Sequence, residues 1–118
     1  MTIDLVTEAP NGSYQLVLVE QGPWQTADLL AHLKRLQTRL HDVVDVAVDG
    51  LLLDRFPKMR GQRVTIRLDC YGVVREETER LLHSFAEHIA ASGEVQDAIR
   101  AKGFVSGLSF SYSWATLC

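Results

Sequence analysis

Cysteine and proline are scarce in this chain of 118 residues, with two of the first and three of the second. Cys70 and Cys118 make no CxxC pair. The sequence therefore offers no disulfide framework, argues against a structural zinc site and agrees with a reducing compartment. No window approaches the ~20 consecutive apolar residues of a membrane-spanning helix. The opening Met1-Thr2-Ile3-Asp4-Leu5-Val6 has neither the basic start nor the apolar run of a secretory signal. A cytoplasmic location and no membrane partner are expected. Positive charge is also short, with 12 Lys and Arg against 15 Asp and Glu for a net charge of -3. That balance argues against nucleic acid as the partner, since dedicated binders are usually basic as a whole. There is no GxSxG, no Gly-rich phosphate loop, no HExxH and no paired acid/base segment of familiar spacing. No catalytic residue, metal or cofactor is expected, and the reading leans away from an enzyme.

What is present is the composition of a compact protein, 47% apolar and 23% charged. The length suits one core, so residues 1–118 are expected to form a single domain. Residues 2–7 and 14–20 are β-rich runs around Ala9-Pro10-Asn11-Gly12-Ser13, whose Asn-Gly supplies the positive φ angles of a hairpin turn. The second run is apolar at consecutive positions, which predicts cover on both faces and a place inside a sheet, with the first run at its edge. Thr26 is expected to cap a helix in which Leu29, Leu33, Leu36, Leu40 and Val43 recur at steps of four and three. Residues 43–49 suit helix or strand; the seam continues through Ala47 and Gly50 offers a stop, so helix to about Asp49 is preferred.

An irregular stretch follows, and then Gln62 to Cys70 alternates, with Val64, Ile66, Leu68 and Cys70 on one face. A helix from about Arg75 to Ser92 points Leu81, Leu82, Phe85 and Ile89 inward and is expected to end at Gly93. A shorter helix runs from about Glu94 to Lys102, stopped by Gly103. In residues 104–114 the period becomes two, with Phe104, Leu108, Phe110, Tyr112 and Trp114 on one face and serines between them. The order β-β-α-β-α-α-β predicts an α+β fold, a mixed four-stranded sheet with helices packed on one face. Strand order does not follow from the pattern.

Few side chains converge on chemistry. Cys70 is a formal nucleophile, with His83 and His88 as partners to be brought near in space, but its parity assigns it to the core. His83 and His88 are five apart, the wrong step for a shared metal, and His32 and His41, nine apart, point to different faces. Asp42, Asp45 and Asp49 align on a helix and read as solvated surface. Arg55, Lys58, Arg60, Arg63 and Arg67 gather five positive charges on a loop and one strand face, a candidate site for an anionic partner. Phe110, Tyr112 and Trp114, with Trp24 after Gly22-Pro23, are the candidate interface residues, since aromatics dominate binding hot spots.

Several segments together resemble a family of short bacterial proteins of unknown function. They are Ile3-Asp4-Leu5-Val6, the strand Leu16 to Glu20 leading to Pro23-Trp24, Val48-Asp49-Gly50, Pro57, Gly61 and Val64 to Cys70. The resemblance spans roughly residues 3–85 and implies a small stand-alone α+β protein with no catalytic residue to carry over. The function expected from sequence is binding of another protein, or self-association as a homodimer, through the sheet edge or the final strand. The alternative is a small enzyme or ligand-binding domain built on Arg55 to Cys70.

Overall fold

The computed structural model describes residues 3–115. Strand β1 (Leu5–Glu8) and strand β2 (Tyr14–Gln21) form an antiparallel hairpin. Its turn is held by the Asn11 side-chain oxygen, which accepts from the Ser13 amide at 3.0 Å and the Ser13 hydroxyl at 2.7 Å. Gly12 takes a φ of 88° there, a conformation that a side chain would strain. Strand β3 (Gln62–Tyr71) lies parallel to β2, and strand β4 (Val105–Ala115) parallel to β3, giving the order β1-β2-β3-β4. Helix α1 (Leu29–Val48) makes the first crossover, and helices α2 (Arg75–Ala91) and α3 (Gly93–Lys102) make the second. Both crossovers step the same way across the sheet. Parallel connections are right-handed, so all three helices fall on one face.

The even-numbered residues of β2 and β3 point at those helices. Leu16, Leu18, Val64, Ile66, Leu68 and Cys70 are no more than 1% exposed and pack in one cluster with Leu36, Leu40 and Val43 of α1 and Leu82, Phe85 and Ile89 of α2. Each such apolar side chain contributes ~1.5–3 kcal/mol on removal from water. Thr78, with no apolar spacing to announce it, is also fully buried.

The element order and the single α+β domain agree with the sequence reading, and residues 43–48 are helix. Four local expectations need correction. Thr26 caps nothing with its side chain; it opens a 3₁₀ turn, Thr26–Asp28, that leads into α1. β2 is interior, but helices cover only one of its faces, and Val17 is buried on the other. Gly93 does not end α2. It is the first residue of α3, and Ser92 closes one helix and caps the next, its hydroxyl accepting from the Val95 amide at 3.3 Å. Phe104 does not begin the aromatic face of the last strand, because β4 starts at Val105 and carries an extra residue, Ser106, opposite the Gln62–Arg63 step. This bulge puts Val105 on the core side in its place.

A charged clamp ties β2 to α1. Glu20, 5% exposed, accepts from Arg35 at 2.9 Å and Arg39 at 3.1 Å. Arg39 also donates to the Val19 carbonyl at 2.9 Å and to Asp4 at 2.5 Å. Burial raises the Asp4 carboxyl, but the Val19 amide and the Arg39 guanidinium outweigh it and hold the group below its usual range.

At the carboxyl ends of the parallel strands, two backbones touch. A Cβ on Gly22 would lie 2.0 Å from the Gly72 carbonyl oxygen, a main-chain atom with nowhere to go. Gly22→Ala is therefore expected to cost ~2–3 kcal/mol in urea unfolding. Gly93→Ala, in a helical first turn with nothing within 4 Å, is expected to be neutral or stabilising. Equal effects at the two sites would contradict the contact.

Candidate interaction edge

β4 is the last strand of the sheet, 11 residues long, and contains neither a charged residue nor a proline. Its backbone polarity is fixed at one end, where the Gly72 amide donates to the Ala115 carbonyl at 3.2 Å. Ala115 thus turns its polar groups toward β3. With the alternation of a strand, so do the odd-numbered residues back to Gly107, while the N–H and C=O groups of Leu108, Phe110, Tyr112 and Trp114 point away from the sheet.

The same four residues direct their side chains to the helical face, where α2 covers them partially. Phe110 meets Phe85 edge-on at 5.6 Å between ring centres. The Tyr112 hydroxyl donates to Glu79 at 2.9 Å and lies 3.3 Å from His83 Nε2. The Arg75 guanidinium sits 5.5 Å above the Trp114 ring, whose buried Nε1–H finds no acceptor among the described residues. Tyr112 and Trp114 also touch edge-on at 5.7 Å. All three aromatics remain half-buried. The Tyr112 hydrogen bond is the main reason the Glu79 carboxyl stays below its usual range, with Arg75 adding to it; in return, Glu79 raises the Tyr112 phenol.

One end of the edge is guarded. Arg63 reaches across Gly107, where a Cβ would lie 2.7 Å from Nη1, and donates to the Ser109 hydroxyl at 2.9 Å and the Leu108 carbonyl at 3.4 Å. Beside it a groove of about 330 Å³ runs between β4 and the second half of α2, with Ala86, Ile89, Leu108 and Phe110 in its wall. A broad depression of about 620 Å³ follows α2 from Arg75 to Glu87.

Of the five basic residues singled out in the sequence, three are engaged with separate neighbours. Arg63 holds β4, and Arg67 donates to Asp69 at 2.7 Å on the helix-free face, where Ser113 donates to the same oxygen at 2.7 Å. Arg60 lies 5.3 Å above the Phe104 ring, and Arg55 and Lys58 are exposed in their loop. Trp24 is 7% exposed and stacks on His32 at 4.9 Å with Arg35 above it, so its ring is enclosed by the fold. Asp49 pairs with Lys102, while Asp42 and Asp45 are exposed. Cys70 is 1% exposed; burial, with Glu20 and Asp69 nearby, pushes its thiol up to about 12. A neutral enclosed thiol is a poor nucleophile.

Sequence reasoning missed the residues that frame the stripe. Arg75, Glu79 and His83 had a signal, since steps of four place them on one line of α2. Gly107, breaking the alternation of a strand, marked the crossing of Arg63. These features define a small α+β domain whose distinctive surface is an uncharged strand edge backed by aromatics. Compared with protein-family models, curated proteins and solved structures, the chain matches none.

Two measurements check this description. With Cys118→Ser removing the other thiol, Cys70 is expected to resist a disulfide reagent at pH 8 until the protein unfolds; rapid labelling of the native state would contradict its burial. In an NMR titration Glu79 is expected below the ordinary carboxylate range, moving back toward it in Tyr112→Phe. The depressed value means that the contribution of Glu79 to stability is present above its unfolded pKa and is lost as pH falls through the folded one.

Proposed function

We propose that this protein is a protein-binding or self-associating domain without catalytic activity, acting in the cytoplasm by adding a polypeptide strand to β4. One observation carries the reading: an edge strand of 11 residues with no charge and no proline. Exposed edges are templates for pairing, and proteins that do not use them ordinarily blunt them with lysine, proline or short length. The half-buried aromatics Phe110, Tyr112 and Trp114 support it by supplying contact area beside the backbone groups. Membership of the family of short bacterial proteins that residues 3–85 resemble belongs to the same proposal and adds no activity. The alternative built on Arg55 to Cys70 loses support from the neutral, enclosed thiol of Cys70.

Amide hydrogen exchange tests this reading directly. The outward amides of Phe110, Tyr112 and Trp114 are expected to slow as protein concentration rises, or when a synthetic lysine-flanked peptide of the β4 sequence is added. Ser111→Lys combined with Ser113→Lys should abolish that slowing and leave the amides of β3 protected. Outward amides that exchange freely under every condition would sink the reading.

A further inference from the structure

Resting on that reading of β4, we propose that the strand it adds is β4 of a second copy of this chain, antiparallel about a two-fold axis through Ser111. Parity comes first. The outward backbone groups all belong to even-numbered residues, so an antiparallel pairing of two β4 strands sets even residues against even ones. Apolar side chains then meet apolar ones, serines meet serines, and the helices of both copies lie on the same face of one eight-stranded sheet. A strand of unrelated sequence has no such self-match.

The register follows from the outward groups, of which the Leu108 carbonyl already accepts from Arg63 and would offer its second lone pair to the partner strand. Matching all four outward residues at once requires the centre of Leu108 to Trp114, which is Ser111. Phe110 then lies opposite Tyr112 of the partner subunit, and Leu108 opposite Trp114 of the partner subunit. Arg63, on the Leu108 carbonyl, stops the pairing from sliding further toward the start of the strand.

Charge agrees with a second copy. β4 from Val105 to Ala115 carries no charged side chain, so the axis brings no like charges together on the strand. On α2, Tyr112 touches His83 and Phe110 touches Phe85, which sets Ser84 level with Ser111. Arg80, which pairs with Glu76 along its own helix at 2.5 Å, lies four residues before Ser84 and Glu87 three after it, and both border the depression along α2. The axis runs the two α2 helices antiparallel and turns each Arg80 toward Glu87 of the partner subunit, adding opposite charge and area that strand pairing alone lacks.

On the axis, Ser111 faces itself in a non-hydrogen-bonded pair, because its own backbone groups point to β3. The Cα atoms of such a pair are ~4.5 Å apart, within disulfide reach. The test uses the full chain with Cys118→Ser and Ser111→Cys under mild oxidation, read on a non-reducing gel, with light scattering of wild type at the same concentration. Wild type should scatter as a dimer and Ser111→Cys should cross-link nearly completely. Ser109→Cys or Ser113→Cys alone should cross-link at least ~10-fold more slowly, since each residue's own copy is then out of reach, whereas the two together should cross-link fast. Circular dichroism establishes that each variant is folded. If Ser111→Cys is no faster than the single controls while the outward amides of β4 are protected, this inference falls and strand addition by another partner stands. A folded monomeric wild type that takes up the β4 peptide has the same meaning. Monomer with unprotected amides overturns both.

Discussion

A right-handed connection between parallel strands can be satisfied on only one side of a sheet when successive crossovers step in the same direction. Here β2, β3 and β4 follow one another across the sheet, so α1 and then α2 with α3 are laid on a single face. The first two of these strands have neighbours on both sides and a helix above, and their inward residues are sealed. β4 has a neighbour on one side and the flank of α2 above it, which leaves Phe110, Tyr112 and Trp114 half-covered however apolar they are. The open edge is thus a property of topology first and of composition second.

The two edges of the sheet are handled in opposite ways. β1 is four residues long, ends on Glu8, and follows Asp4, whose carboxylate is bound to Arg39. Short length and charge make it a poor template for further strands. β4 is nearly three times as long and, among the described residues, has only the Arg63 guanidinium near its beginning as a guard. The contrast within one sheet supports treating the second edge as a surface with a role.

Much of this arrangement was legible in the residues. Seams at steps of three and four gave α1 and α2, and strict alternation gave β3, because burial on one side imposes those periods on any chain. Asn11-Gly12 marked the hairpin through the φ angles it permits. What escaped depended on relations between distant segments. Strand order is set by which distant segments pair, and it leaves no local period. The Ser106 bulge changes the phase of the last strand by one residue, so Phe104 looked like a member of a row that Val105 in fact joins. The site was half legible: the aromatic row was visible, while His83 was considered only beside Cys70 and His88, and Arg75 and Glu79 were not connected to the row. The basic cluster looked like one patch in sequence because a loop and a strand are adjacent in the chain, yet Arg60, Arg63 and Arg67 each turn to a different neighbour.

The contact between Gly22 and Gly72 bears on where a protein of this shape can work. Open sheets of parallel strands commonly receive small ligands in a crevice beyond their carboxyl ends, at the point where the strand sequence reverses direction. This sheet has no such reversal, and main chain from two turns is pressed together at that end with the enclosed indole of Trp24 close by in sequence. The end at which open parallel sheets commonly receive small ligands is here occupied, between β2 and β3, by backbone against backbone.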